Sequence, residues 1–400
     1  MMHRRGIFAV IVVVLAFLSN CAAPPAVEST PTRASTSTLP RVFTPAREET
    51  PTPTRISTST LTATYTLPGV PPSPARKAID SENAVGIVHL SHWPNGNGMA
   101  ASLDFSPDGA LLAAGFGDGS IRLWTIPDGE LVRTLDGSPL IYEGTTNERG
   151  YPFMDIDFSP NGKILASASG NVRLWNVSNG YLLRILETGH VPMASSVSLS
   201  MDGSMIAARY SFSPYFIIWH AADGEMMYTI DSLTCPEDEE ASVKSVAFST
   251  VNYTLAVAGG SCSFLWRVGD PLVDFIGRGT RKYRFLEGGG GYIVFSQDGK
   301  TLASSGYDGS IHLSRVSDGT LLATLADHPS TSLDFSKNGQ LLVSGGSDGA
   351  FRLWQVDKHL LLLTLKTDGS AVRDVKFSPD GTLIASGSED GSIDIWGLFP

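Results

Sequence analysis

The stretch AVRDVKFSPDGTLIASGSEDGSIDIW, residues 371–396, decides the fold. It holds three runs in which apolar and polar residues alternate, VRDVKF, LIASGS and IDIW, separated by the pairs Asp380-Gly381 and Asp390-Gly391. A period of two marks a strand with two distinct faces, and Asp-Gly between two such runs supplies the backbone freedom a tight hairpin needs. The stretch reads as three antiparallel strands joined by two hairpins, with no helix.

The same text recurs upstream about every 40 residues or a little more, the period of four-stranded propeller blades. The copies are anchored before their first turn by Phe105, Phe158, Leu199, Phe248, Phe295, Phe335 and Phe377. The matching third-strand position holds Trp124, Trp175, Trp219, Trp266, Ser314, Trp354 and Trp396, so there are seven copies with one departure, Ser314. With its FSPDG turn, L-A-S-G strand, S-x-D-G turn and I-R-L-W strand, the unit resembles the WD40 repeat.

Every copy but the last continues into a fourth strand, as in GELVRTL at 129–135 and GTLLATL at 319–325, whereas the last stops four residues after Trp396. The run NAVGIVHL at 83–90 precedes the first copy and has the alternation of the missing strand. The expected fold is all-β: a seven-bladed β-propeller closed by an N-terminal strand, residues 84–90, pairing with 391–396 in the C-terminal blade. Closure removes the open sheet edges that invite aggregation. One such ring accounts for residues 81–400, and a monomer is expected.

The whole chain carries a net charge of −11. Residues 1–80 hold eight Lys/Arg and four Asp/Glu, which leaves −15 on the remainder. Nucleic-acid phosphate requires clustered Lys and Arg, so a nucleic-acid partner is not expected.

The chain opens with His3, Arg4 and Arg5, an apolar run from Gly6 to Leu18, then Ser19, Asn20 and Cys21. A basic start before a short apolar run is an export signal, and 13 apolar residues are few for a bilayer span. LSNC resembles a bacterial lipobox, departing from it at Asn20, where Gly, Ala or Ser is usual. The resemblance implies a signal peptide at 1–20, diacylglyceryl attachment to the Cys21 thiol, and a protein held on the extracytoplasmic face of a membrane or envelope by lipid alone. An ordinary signal peptide with an incidental Cys21, and an uncleaved anchor, are the alternatives. Residues 21–80 follow as a lipidated cysteine and a Pro/Thr/Ser-rich tether, too poor in apolar residues to offset the entropy of ordering.

In a propeller of the WD40 type, the turns between first and second strands share one face with those between third and fourth. The second-to-third turns and the inter-blade connections share the other. Turns on the first face are short, such as SPDG at 106–109, while length accumulates on the second in 136–152, 231–242, 277–290 and RYSFSPYF at 209–216. Long loops at one end of a rigid frame are where binding concentrates. The residue types enriched at interface hot spots are Tyr, Trp and Arg. The expected contact residues are His92, Trp93, Tyr142, Tyr151, Tyr210, Tyr215, Arg281, Tyr283 and Arg284. The competing reading is that these aromatics cover neighbouring blade ends.

Cys235, before the fourth blade, and Cys262, in that blade's second-to-third turn, emerge on the same face in this geometry. They are expected to form a disulfide worth about 3 kcal/mol, against the alternative of two buried thiols. The turn aspartates Asp118, Asp308, Asp348 and Asp390 read as caps of their own turns. No metal-ligand spacing is legible among the eight histidines, and neither a G-x-S-x-G elbow nor a phosphate-cradling loop occurs. Neither metal, cofactor nor catalytic residue is therefore expected. The reading that follows is a non-catalytic, membrane-anchored, extracytoplasmic scaffold that holds a protein or an envelope polymer through its elaborated face. The alternative is a metal-assisted hydrolase with a site dispersed over blades at the central channel. The first-strand residues Asp104, Asp157, Asp334 and Asp374 bear on that choice, since their alternation with apolar positions fits either orientation.

Overall fold

Among the described residues the chain forms 28 strands and a single 3-10 turn, and the strands sort into seven antiparallel sheets of four. The computed structural model describes residues 76–94, 98–136, 155–186, 194–210, 216–230, 243–259, 262–269, 284–287, 291–306, 308–325, 330–368 and 370–399. The fold is the expected seven-bladed propeller. In six blades the four strands follow in chain order; blade 1, for example, runs Ala100–Phe105, Leu111–Phe116, Ser120–Thr125 and Leu131–Asp136.

The seventh blade is assembled from both ends. It contains β1 (Ile87–Trp93) as its outer strand, next to Ile393–Leu398, Leu383–Ser388 and Val372–Phe377. Ile87 faces Leu398 and Trp93 faces Ile393 in antiparallel register. The closing strand thus begins three residues later than the expected 84–90 and runs three further. The reason is local: the Asp80 carboxylate accepts the N–H groups of Glu82 and Asn83 at 2.8 and 2.9 Å, and Ala84–Gly86 closes a 3-10 turn. Buried Ala84 and Ile87 then pack among residues of blades 6 and 7. Anchoring starts earlier still, because Ile79 is buried and donates its N–H to the Gly381 carbonyl at 2.8 Å.

The first turn of each blade is held by its own sequence. In blade 1 the Ser106 hydroxyl oxygen accepts the Leu111 N–H at 2.9 Å, Asp108 accepts the Ala110 N–H at 3.0 Å, and Gly109 takes a φ of +72°. Positions 159–164 and 378–383 repeat the hydroxyl contact. Side-chain oxygens that satisfy turn amides explain why Ser, Asp and Asn recur there.

The third-strand tryptophans lie between neighbouring blades. Trp175, Trp354 and Trp396 donate their indole N–H to Ser167, Ser344 and Ser386 at 2.8–2.9 Å, so each large apolar ring is buried without an orphaned donor. Hydrophobic clusters span blade boundaries. One joins Leu383, Ile393 and Ile395 of blade 7 to Leu103, Phe116 and Trp124 of blade 1, with Leu90 and Trp93 against it. Truncating one of these tryptophans to alanine is expected to cost about 3–5 kcal/mol.

Candidate functional site

The innermost strands enclose a channel of roughly 590 Å³. Three residues before each anchoring aromatic or leucine stands one ring of positions, beginning with Ser102, Asp155 and Ser196 and ending with Ser332 and Asp374. Directly before the anchor stands a second ring, with Asp104, Asp157, Ser198, Asp334 and Lys376 in blades 1, 2, 3, 6 and 7. Because side chains alternate along a strand, both rings face the channel, while the anchors and the residues between the two rings face the core.

The carboxylates point sideways. Asp104 accepts the Phe158 N–H at 2.7 Å, Asp157 the Leu199 N–H at 2.6 Å, and Asp334 the Phe377 N–H at 2.7 Å. Asp155 accepts the Val197 N–H at 3.0 Å, and Asp374 the Leu103 N–H at 2.7 Å. In every case the acceptor belongs to one blade and the donor to the next. Ser198 does the same in blade 3, its hydroxyl oxygen accepting the Phe248 N–H at 3.0 Å. Asp374 also receives the Val375 N–H at 2.8 Å and the Ser332 hydroxyl. Ala247 and Val294 occupy the second ring in blades 4 and 5 and have no group to offer, so the acidic wall is confined to one arc.

Enclosure by protein sets the electrostatics of this arc. Burial pushes Asp104 up to about 7, opposed chiefly by the Lys376 ammonium and the Phe158 N–H. Asp334 is pushed up to about 6 by burial, again opposed first by Lys376, and burial likewise raises Asp157 and Asp374. Burial works against the Lys376 cation as well, but the carboxylates of Asp334, Asp374 and Asp104 outweigh it and raise its pKa.

First strands start at the face where the inter-blade connections arrive, so the channel mouth on that face is lined by Arg209, Lys244, Tyr292 and Arg373. Tyr292, at the first-ring position of blade 5, is 46% exposed. Arg373 pairs with Glu389 at 2.8 Å and Arg209 donates to the Val243 carbonyl at 3.2 Å. The mouth therefore presents cations and a phenol above an acidic wall. Sequence reading included Arg209 in the stretch 209–216 without singling it out, and it missed Lys244 and Arg373 because they sit inside strands rather than in long loops.

The expected turn caps are observed. Asp118, Asp308, Asp348 and Asp390 each accept the N–H two residues on at 2.8–3.2 Å.

Of the expected contact residues, Tyr142, Tyr151, Tyr215, Arg281 and Tyr283 lie outside the described residues, as do Cys21 and Cys235. Arg284 and Cys262 are described as backbone within strands Arg284–Glu287 and Cys262–Arg267. Cys262 thus opens a third strand instead of occupying the turn before it.

Tyr210 is a correction. It ends the strand Met205–Tyr210 and is 1% exposed, packed in the cluster between blades 2 and 3, so it offers no contact surface. The aromatic run that reads as a loop is partly strand. His92 and Trp93 also belong to a strand, β1, rather than to a loop on the elaborated face. Trp93 stacks on Trp124 at 5.8 Å between ring centroids and crowds Gly129, where an added Cβ would meet its indole at 2.7 Å. At Gly180 and Gly224 an added Cβ would meet Arg133 with Leu135 and Arg184 with Leu186, the leucines at 3.0 Å, so Trp93 takes a place that inter-blade packing fills elsewhere in the ring.

Beside it, His89 and His92 converge on Asp394, with His89 Nε2 at 2.8 Å and His92 Nδ1 at 2.7 Å from the same carboxylate oxygen. Nothing in the sequence spacing signals this trio, since the aspartate lies 302 residues beyond His92.

The family model described as "WD domain, G-beta repeat" matches residues 89–125, 141–176, 292–313, 319–355 and 360–397. The chain thus carries WD40 repeats within a β-propeller of seven four-stranded blades. Blades 3 and 4 fall outside the matched segments yet have the same sheet order. Among curated proteins the chain is similar to Apoptotic protease-activating factor 1 of Homo sapiens, 42% identical over 94 residues, which cover 24% of this chain and 7% of that protein. It is similar to Protein HIRA of Dictyostelium discoideum, 30% identical over 34% of this chain and 13% of that protein. A third relative is Small ribosomal subunit protein RACK1y of Oryza sativa subsp. japonica, 28% identical over 29% of this chain and 33% of that protein. The chain spans a third or less of the length of each of these relatives.

Proposed function

We propose that the protein is a non-catalytic interaction scaffold, tethered by lipid at Cys21 to the extracytoplasmic face of a membrane, that binds a protein or envelope polymer on its elaborated face. The observation that carries this reading is the channel. Its carboxylates hold the backbone of the next blade, so they act as frame, while Tyr292, Lys244, Arg209 and Arg373 line the mouth of the channel, where a partner could reach them. Arg and Tyr around a concave centre are the side chains that anchor interfaces. The relatives carry unlike names on a shared repeat, and a frame that is reused without a fixed ligand is in keeping with that.

One observation favours the enzyme reading: Asp104, pushed up to about 7, has the protonation balance that general acid–base chemistry uses. The Phe158 N–H on that carboxylate favours the frame instead.

The test is affinity capture with the immobilised wild-type chain against Lys244→Ala/Tyr292→Ala and Tyr283→Ala/Arg284→Ala. The scaffold reading expects at least one partner to be lost from each double variant. Equal recovery of every partner by all three would remove the elaborated face from the proposal. Tethering is tested separately by Cys21→Ser, which is expected to release the protein from membranes. The Cys235–Cys262 bridge predicts no free thiol beyond Cys21 in the unfolded, unreduced chain.

A further inference from the structure

The closing strand carries His89 and His92 three residues apart, a spacing that sends side chains to opposite faces of a regular strand. Here a bulge between His89 and Ser91 absorbs one residue, leaving His89 opposite Trp396 and His92 opposite Asp394. Both imidazoles therefore fall on one side, and both reach the same oxygen of Asp394. The aspartate side chain is 4% exposed, whereas those of the histidines are 44% and 38% exposed, so the carboxylate forms the floor of a small cup open to solvent. The His89 ring is braced on Trp396 at 4.7 Å between centroids.

The bulge belongs to the repeat, but the three side chains do not. Blade 1 has the same register shift in its outer pair and places Leu131, Thr134 and Arg122 at these positions. Blade 6 places Leu361, Thr364 and Arg352 there. Only at the joint between the two chain ends do two histidines and an aspartate replace leucine, threonine and arginine among these blades.

We propose that His89, His92 and Asp394 form a binding site for a divalent transition-metal ion of the Zn²⁺ class. Their three ligand atoms lie within 4.8 Å of one another, and two imidazole nitrogens with one carboxylate oxygen are a donor set suited to Zn²⁺. The exposed side of the cup leaves the remaining coordination positions to water. Nearby carboxylates at Asp368 and Asp390 add negative potential at His92, which favours a cation there.

Metal binding requires unprotonated imidazole nitrogens. Protons therefore compete with the metal, and affinity falls as pH drops through the imidazole range. An ion held here links β1 to the strand Ile393–Leu398 and so clips the N-terminal end of the ring to the C-terminal end. The site is independent of the scaffold reading.

The test is equilibrium binding of ZnCl₂ to the purified full-length chain after chelation, with the melting temperature followed in parallel. The expected result is one Zn²⁺ per chain at micromolar free metal, with a rise in Tm of about 2–4 °C once the site is filled. Because His89 and His92 are exposed, His89→Gln and His92→Gln keep the fold, and each is expected to weaken binding about tenfold or more. His359→Gln serves as the control that leaves it unchanged. Absence of stoichiometric binding by the wild type, or binding by both glutamine variants as tight as that of the wild type, would reduce the trio to a hydrogen-bonded cluster and overturn the proposal.

Discussion

Blade 1 is one continuous stretch of chain, and blade 7 is joined from two ends, yet their four strands have the same order and the same bulge in the outer pair. Their side chains differ where charge matters. At the second-ring position blade 1 has Asp104 and blade 7 has Lys376; at the first-ring position blade 1 has Ser102 and blade 7 has Asp374. In the third strand Arg122, paired with Asp118 at 3.1 Å, gives way to Asp394 with its two histidines. The backbone of a blade thus tolerates a cut, while the joint is set apart by an inversion of charge. In the channel this inversion places one cation among several enclosed carboxylates.

Removal of residues 81–93 distinguishes the two blades most strongly. It strips blade 7 of its outer strand, exposes the strand Ile393–Leu398, and is expected to lower Tm by about 10 °C or more in a thermal melt. A melt within a degree of wild type would mean that blade 7, unlike blade 1, stands on three strands.

Next in size is Lys376→Met. The ammonium opposes the desolvation of Asp104, Asp334 and Asp374, and loss of one partner of such a group costs most when the others are ionised. With channel water reducing the effect, the expected loss in a denaturant titration at pH 8 is about 2 kcal/mol. Near pH 4.5 Asp104 and Asp334 are largely protonated and the loss is expected to shrink.

A smaller effect separates the two roles of Asp104. Its folded pKa, about 7, lies above the unfolded value of about 3.9. The folded state then binds the extra proton, so Asp104 withdraws stability as pH rises from about 4 to 7. Asp104→Asn keeps an oxygen for the Phe158 N–H and is expected to match wild type at pH 4.5 and to melt slightly higher at pH 8. Asp104→Ala orphans that N–H and is expected to cost about 1–3 kcal/mol at both pH values. Identical behaviour of the two variants would contradict the role of Asp104 as an inter-blade hydrogen-bond acceptor.

The seven anchors and the Asp-Gly and Asn-Gly turns made the frame legible because each turn residue has a local cause, as Ser106 and Asp108 show. What escaped depends on partners far away in the chain. The alternation around Asp104 is compatible with either orientation in a strand packed on both faces, and only the neighbouring blade's Phe158 shows which holds. RYSFSPYF reads as a loop by its composition, yet Tyr210 completes a strand whose burial comes from blade 2. The bulge that brings His89 and His92 together has no residue signature of its own and is fixed by register against Ile393–Leu398.

Amide hydrogen exchange tests the ring closure most directly. With β1 in place, the backbone amides of Ile393–Leu398 are predicted to be protected within about tenfold of those of Ser120–Thr125, their counterparts in blade 1. Rapid exchange of the Ile393–Leu398 amides that face β1, while Ser120–Thr125 stay protected, would show that the chain ends do not meet.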